Sequence, residues 1–444
     1  MTPREDARRI LAAAVAAADA HAAVLRALKV EGDALVIADE ERIPLSSIDR
    51  VWVIGAGKAA GGMALAAREV LGDRIAGGTI TTKDGYVADV AGIEVWEAAH
   101  PVPDARGLAG AADALACARR AGAGDLVLCL LSGGASALWP SPPTGVTLTD
   151  LGALTGRLLR AGATIRELNT VRKHLSRIAG GWLARAAHPA RVVTLAVSDV
   201  VGSALDVIAS GPTVPDPTTF ADALDVIERY EVTGAPTALA CLRSGAAGHA
   251  PETPKPGDPA FERTTAHVIA ANADALRGAA GEAERLGWRT EIVADDLEGE
   301  ARAVAGQIAT YALERQRALG GEDPPLALLL GGETTVTVRG SGTGGRNQEL
   351  ALALAIELEG REGIVAASLG TDGTDGPTDA AGGMVDGETV WRGAARGLDA
   401  RAFLDRNDAH PFLRGTGDLL VTGPTGTNVC DVVLILVSAV DQAP

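Results

Sequence analysis

A chain of 444 residues is long enough for two or three domains with large cores, and its hydrophobic fraction of 47% is that of a soluble globular protein. Aromatic residues make up only 3%, so Ala, Val and Leu must fill the interior. A net charge of -17 argues against an extended nucleic-acid or anionic-membrane surface, and an anionic substrate would need a local cluster of Arg or Lys against that background.

Cys117, Cys129, Cys241 and Cys430 form no CxxC pair, which fits buried thiols in a reducing cytoplasm better than disulfides or a zinc site. No segment has the unbroken apolar length of a membrane span. Residues 1–28 carry acidic groups early and read as an amphipathic helix rather than a signal peptide. Residues 51–54 (VWVI) read as a short buried strand running into Gly55-Ala56-Gly57-Lys58-Ala59-Ala60 and a helix to Val70. Strand, glycine turn and helix open a nucleotide-type βαβ unit. The spacing completes neither common fingerprint: Ala60 stands where the third glycine of GxGxxG would be, and alanine follows Lys58 where a P-loop has Ser or Thr. A lysine at a helix start is mildly disfavoured by the helix dipole, so Lys58 needs either open solvent or an anion.

Strand-like residues 79–82 and 93–97 come next, then the proline-fixed loop Ala99-His100-Pro101-Val102-Pro103-Asp104. His100 could be a general base or a substrate hydrogen-bond donor, but a lone histidine in a rigid turn is more often structural, and that reading is favoured. Residues 126–131 form a strongly apolar strand ending in Ser132-Gly133-Gly134-Ala135-Ser136. Small residues with hydroxyl donors at the carboxyl end of a strand mark the usual ligand loop of an α/β sheet. The order of residues is not GxSxG, so no hydrolase nucleophile is implied. Residues 162–181 hold the densest basic cluster, Arg166, Arg172, Lys173, His174 and Arg177, with Asn169 and Lys173 on one helix face. In so acidic a chain this reads as an anion clamp, with a solvated amphipathic helix as the alternative. The strand at 192–197 delivers Asp199, placed as a metal ligand or general base ahead of Asp206 and Asp216, with a helix N-cap as the competing role. A stiff Pro-rich loop occupies 208–217.

Residues 243–263 are rich in Gly, Pro and Ala, which sets the domains at 1–245 and 264–444 with a linker at 246–263. The second domain opens with a strand at 266–271, a helix from Asn272 (read as an N-cap), a strand at 290–293 and a helix at 298–319. After an apolar strand at 326–330 comes the stretch around which the chain is organised, GGETTVTVRGSGTGGRNQE at 331–349. It reads as a strand through Val338, a loop with Gly340, Gly342, Gly344 and Gly345, and a helix from Asn347. Such a loop lets backbone N–H groups converge, the helix start adds partial positive charge, and Arg346 adds a planar donor fork, together a site for phosphate or carboxylate. Glu333 sits in its entry. A strand at 364–368 ends in GTDGTDGPTDAAGG, where Asp372, Asp375 and Asp379 suggest a divalent-cation or hydroxyl-binding loop, although no glutamate closes an EF-hand pattern.

These motifs resemble the type II glycerate kinases, the MOFRL family, which includes proteins labelled hydroxypyruvate reductase. The matching stretches are 55–59, 100–104, 131–137, 169–175, 197–215, 331–349 and 368–382, and GGRNQE followed by GTDGTDGPTDAAG is specific. The resemblance implies an ATP-dependent, Mg²⁺-assisted kinase that converts D-glycerate to 2-phosphoglycerate. It implies an α/β fold of two domains, the first Rossmann-like with a largely parallel sheet and the second a mixed-sheet domain, with the active site in the cleft between them. Lys58 and Arg346 match positions thought catalytic in the family.

On that basis Lys58 and Arg346 are expected to flank the transferring phosphoryl group, since such transfer needs charge neutralisation more than covalent chemistry. Asp199, Asp372 and Asp375 are the candidate Mg²⁺ ligands, one of which could instead take the proton of the 2-hydroxyl. Gly55, Gly57, Ser132, Gly133, Gly134, Ser136, Asn169, Arg172, Lys173, Glu333, Gly342, Gly344 and Gly345 are the expected substrate- and phosphate-binding residues. The partners expected are small molecules, with no nucleic acid or membrane; the oligomeric state is open, a homodimer being the candidate. Two rivals stand beside this reading. A nicotinamide-dependent hydroxypyruvate reductase would need a ribose-binding acid after the second strand, where Lys83 and Asp84 are a poor substitute. A non-catalytic sugar-acid binder would need the anion loops but not both Lys58 and Arg346.

Overall fold

The computed structural model describes residues 2–440. They form two compact units, one of residues 20–269 and the other of residues up to 19 together with those from 270 onward.

In the unit of residues 20–269, a small antiparallel sheet comes first: β1 (Leu28–Glu31), β2 (Ala34–Ile37) and β3 (Glu41–Pro44). The main sheet has the order β6-β5-β4-β7-β8-β9, from β4 (Val51–Ala56), β5 (Ile75–Lys83), β6 (Ile93–Ala98), β7 (Leu126–Leu131), β8 (Arg191–Val197) and β9 (Thr264–Ala270). Strands β6, β5, β4, β7 and β8 all pair parallel. Residue type explains this: β7 reads LVLCLL and is buried throughout, as a parallel strand covered on both faces must be. The chain leaves β4 toward β5 and β6 on one side, then returns to build β7 and β8 on the other. The loops after β4 and β7 therefore flank a topological switch point, the place where α/β sheets open a crevice for ligands. Helices Leu148–Arg160, Ile165–His174, Phe220–Arg229 and Pro236–Ala246 form a layer with its own apolar core, including Leu154, Leu168, Val171, Phe220, Val226 and Leu242.

The other unit carries a mixed sheet, order β10-β11-β15-β12-β13-β14, from β10 (Arg289–Glu300), β11 (Leu326–Thr335), β12 (Ile364–Gly370), β13 (Gly382–Asp386), β14 (Leu419–Leu420) and β15 (Asp431–Val437). Only β10 and β11 pair parallel; the remaining pairs are antiparallel. Helix Arg346–Glu357 is buried from Asn347 to Ile356, a core helix packed beside helix Ala301–Ala318. No single helix among the described residues is long and apolar enough to cross a membrane.

Several expectations are corrected. The boundary is not 1–245 and 264–444. Strand β9 extends the first sheet beside β8, and helix Pro3–Ala17 packs against helix Asn272–Arg285 in the second unit. Residues 246–263 are not a free linker: buried Thr253 donates to Asp216 at 2.9 Å, and Glu252 accepts from the Phe220 amide at 3.0 Å. Glycine and proline there make turns rather than slack. The N-terminal stretch is two helices, Pro3–Ala17 and Ala20–Ala27. Strand β10 continues to Glu300, so the following helix starts at Ala301, with the Glu300 carboxylate accepting from the Arg302 amide. Strand β11 stops at Thr335, because the chain leaves the sheet to meet Asn407, whose Oδ1 accepts from the amides of Arg339 and Gly340.

Candidate active site

At the switch point of the first sheet, the loops after β4 and β7 are laced together. The Lys58 amide donates to Gly133 O at 3.0 Å, the Ala59 amide to Ser132 Oγ at 3.0 Å, and the Ser132 amide to Ala56 O at 3.0 Å. Gly57 has φ +130°, and a Cβ there would lie 2.7 Å from the Ser132 carbonyl carbon, so only glycine allows this approach. Gly55 is as tightly placed, 2.8 Å from Leu130 O by the same measure. The βαβ turn thus fixes the backbone of Lys58, which stands just ahead of helix Ala60–Leu71 rather than inside its first turn. The amides of Gly133 and Gly134 make no hydrogen bond among the described residues, and the ring of His100 lies beside Gly134. His100 therefore lies beside this cluster, where the less favoured of its two sequence readings, a substrate donor or general base, would place it.

Behind the loop runs a buried polar chain. Ser136 Oγ meets Ser210 Oγ at 3.0 Å, and Ser210 Oγ donates to Asn169 Oδ1 at 2.8 Å. Ser210 sits in the left-handed region with Ala209 and Gly211 beside it, at φ of 59°, 53° and 62°. Two non-glycine residues in that region are strained, which marks a segment held for a purpose. Ser210 was not singled out from sequence; the stiff, polar character of loop 208–217 was the only signal.

The basic helix Ile165–His174 divides its charges. Lys173 is buried and faces Asp206 at 3.4 Å and Asp216 at 3.5 Å. These two acids meet its charge, so Lys173 is a weaker candidate for a substrate anion than Arg172. Arg172 has no acidic or hydrogen-bonding side-chain partner among the described residues, and burial pushes its guanidinium below the usual range. Such a group is costly unless something anionic meets it. Three positions from Asn169, it lies on the neighbouring helix face. Asp199 follows β8 and is half-buried; the next turn, Val201–Ser203, has Val200 at its N-cap and no side-chain cap, so the N-cap role is not the one seen.

In the mixed-sheet unit, Arg346 is the first residue of its helix, and its guanidinium forks onto Asp431: Nε to Oδ2 at 2.6 Å and Nη2 to Oδ1 at 2.9 Å. Nη1 meets Glu333 at 2.5 Å. Burial pulls the Arg346 pKa down, but Asp431 and then Glu333 outweigh it, so the group is held above its ordinary range and stays charged. Planar bidentate pairing fixes direction as well as position. Asp431 in turn is steadied through its backbone, since Asn272 Nδ2 donates to the carbonyls of Val429 and Asp431 at 2.8 and 2.9 Å. Asn272 lies inside its helix, with Ala271 at the N-cap, which corrects its reading as a cap. Asp431 itself was missed, since a lone acid before an apolar strand carries no sequence signal.

The glycine loop at 340–345 differs from the expected phosphate cradle. The Gly342 amide donates to Arg406 O at 3.0 Å and the Thr343 amide to Asp408 Oδ1 at 2.8 Å. A Cβ on Gly342 would stand 2.6 Å from Arg406 O. Glycine at 342 is there to pack against residues 406–408. The helix start beyond Gly344 and Gly345 is filled by Asp375, whose carboxylate accepts from the amides of Asn347 at 3.1 Å and Gln348 at 2.9 Å and from Gln348 Nε2 at 2.9 Å. Burial raises the Asp375 pKa while these donors oppose it. Both oxygens are engaged as the cap of this helix, a role that competes with metal ligation. Asp372 Oδ1 accepts from the Thr374 amide at 2.9 Å and hydroxyl at 3.0 Å. Among the described residues no group of three or more His, Cys, Asp or Glu is arranged to hold a metal.

The comparisons with known proteins bear on the whole chain. A family described as "Domain of unknown function (DUF4147)" matches residues 6–243, and the MOFRL family matches residues 326–431. A D-glycerate 2-kinase of Thermotoga maritima is 44% identical over 402 residues, 90% of this chain and 93% of that protein. The chain belongs to the type II glycerate kinase, or MOFRL, family. A crystal structure of a glycerate kinase from Thermotoga maritima superposes with a TM-score of 0.83 at 41% identity, covering 98% of this chain and 99% of that one. An Agrobacterium vitis protein named "Putative hydroxypyruvate reductase" is 43% identical, covering 98% of this chain and 95% of its own length. Within this glycerate kinase family chain, Lys58 and Arg346 are each fixed by their own unit, the first through its backbone and the second through its guanidinium.

Proposed function

We propose that this protein phosphorylates D-glycerate on its 2-hydroxyl, taking the phosphoryl group from ATP with Mg²⁺ present. The observation that carries the reading is the switch-point loop pair, where Lys58 stands on a backbone bonded to Gly133 while the Gly133 and Gly134 amides remain available to an anion. Lys58 and Arg346 serve as catalytic cations, because phosphoryl transfer needs charge stabilised on the equatorial oxygens. Arg172, a guanidinium without an acid, takes the glycerate carboxylate, and Ser136 with Ser210 and Asn169 holds the loop it approaches. Asp199 accepts the hydroxyl proton. A kinase Mg²⁺ keeps water and phosphate oxygens and needs only one or two carboxylates, which Asp199 or Asp372 can supply more readily than Asp375, whose oxygens already cap a helix. The ion would neutralise phosphate charge. Free thiols, with Cys129 pushed up to about 12 by burial, suit a reducing compartment such as the cytoplasm.

The reductase alternative loses its best ribose-binding acid, because both oxygens of Asp84 are engaged by Arg106 at 2.6 and 2.8 Å. Purified protein with ATP, Mg²⁺ and D-glycerate should form 2-phosphoglycerate, seen by coupling through enolase without added mutase, and should not oxidise NADH with hydroxypyruvate. Lys58→Ala and Arg346→Ala should each lose about 10²–10³ in kcat. Wild-type turnover by either folded variant would overturn the assignment.

A further inference from the structure

A cavity of about 490 Å³ opens in the unit of residues 20–269, with none of the switch-point loop residues in its lining. It lies within the size range of small-molecule sites. Its position follows from helix Ala105–Ala118. Asp104 caps that helix at the end beside Ala99 and His100, and Arg119, which lines the cavity, follows its last residue, about 21 Å further along at 1.5 Å per residue. The walls are of two kinds. Trp182 and Phe220 give flat apolar surface, and Arg119, Arg177 and Arg185 give positive charge, with no acidic side chain in the lining. Arg185 is balanced by Asp258 and stacks on Trp182, its guanidinium carbon 4.8 Å from the ring centroid. Arg119 and Arg177 have no side-chain hydrogen bond or acidic partner among the described residues. In a chain of net charge -17, two such arginines beside aromatic walls are an uncommon local excess.

We propose that this cavity is a binding site for a small organic anion with a flat apolar body, the chemistry that a nucleoside monophosphate and an aromatic carboxylate share. Arg119 and Arg177 meet the anion, by the planar donor geometry that suits phosphate and carboxylate alike. Trp182 and Phe220 take the flat part. The site is joined to the proposed active centre by one helix: His174 at the end of helix Ile165–His174 lines the cavity, and Asn169, just over one turn earlier, holds Ser210. Binding here is independent of whether the protein is a kinase.

The test uses the full-length protein and three probes, AMP, benzoate and inorganic phosphate, titrated by calorimetry. AMP or benzoate should bind the wild type, and the same affinity should persist in Lys58→Ala. The double variant Arg119→Ala/Arg177→Ala, both positions being exposed and removable without disturbing the core, should weaken it by about tenfold or more. Inorganic phosphate, lacking the flat body, should bind more weakly than either. Binding of AMP alone would name a nucleotide as the source of the chemistry, and of benzoate alone a carboxylate. Cys241 lines the cavity and is the one thiol not fully buried, so the bound probe should also slow its alkylation. Absence of binding by AMP and benzoate at millimolar concentration, or binding unchanged in the double arginine variant, would overturn the proposal.

Discussion

Asp431→Asn isolates what the Arg346 fork contributes. The substitution keeps shape and volume but replaces one carboxylate oxygen with an amide NH₂, so one of the two guanidinium bonds, 2.6 or 2.9 Å long, becomes a donor facing a donor. A hydrogen bond to a charged group contributes about 1.5–3 kcal/mol, and its loss leaves Arg346 held mainly by Glu333. If about 2.7 kcal/mol of transition-state alignment goes with it, kcat falls about 10²-fold, at 1.36 kcal/mol per decade. The KM for glycerate should move little, because both oxygens of Asp431 face Arg346 and neither is left for substrate. The decisive assay is a cycle of steady-state kinetics on Asp431→Asn, Arg346→Ala and the double variant. If Asp431 acts through Arg346, the double variant is no slower than Arg346→Ala alone. Losses that add in the double variant, or an Asp431→Asn enzyme with wild-type kcat, would refute the reasoning.

Other outcomes follow from the same geometry. Gly57→Ala puts a methyl group onto Ser132 at a φ of +130°, and no rotamer can relieve a clash with backbone; thermal unfolding should show a loss of about 3 kcal/mol or more, and an unchanged melting curve would refute the close-approach argument. Arg172→Met should raise the KM for glycerate about 10²-fold, leave that for ATP unchanged and melt no lower than wild type, because it removes a half-buried charge without a protein partner among the described residues; a lower melting temperature with unaltered KM would show a structural role instead. Glu167 closes the N-terminal capping box of the helix that carries Asn169 and Arg172, and the Thr164 amide and hydroxyl, with Tyr230 and Arg229, hold its carboxyl down to about 2. A depressed folded-state value stabilises fully above the unfolded value of about 4.3 and is lost as pH falls toward 2. The stability gap between wild type and Glu167→Gln, from urea unfolding, should therefore be constant above about pH 5 and close between about pH 4.5 and 2; a gap independent of pH would count against it.

Much of the fold was legible because its signals are local. Runs such as LVLCLL at 126–131 can only be strands buried on both faces, and the glycine turn after 51–54 announces a βαβ unit. The domain boundary was not legible for the same reason. Composition at 243–263 reports turns, but whether those turns are loose or packed depends on distant partners: Thr253 on Asp216, and β9 beside β8. Nor can periodicity show that residues 3–17 pack against a helix that begins at residue 272.

The site divides along the same line. Lys58, Ser132 and Gly134 could be found because loops after parallel strands gather at one edge of a sheet whatever the side chains do. Charge alone was a poorer guide. Arg172 and Lys173 are neighbours of the same sign in one basic run, yet Asp206 and Asp216 neutralise one and nothing among the described residues neutralises the other. Asp372 and Asp375 share one acidic loop, yet Asp375 is a cap for a helix begun some thirty residues earlier. Asp431, which no motif marks, aims the guanidinium that the motif did mark. Which charges are available to a substrate is a property of pairing across the fold, so the residues to test first are those whose protein partners do not account for them. By that measure Arg172 at the proposed carboxylate site, and Arg119 with Arg177 at the cavity they line, come first.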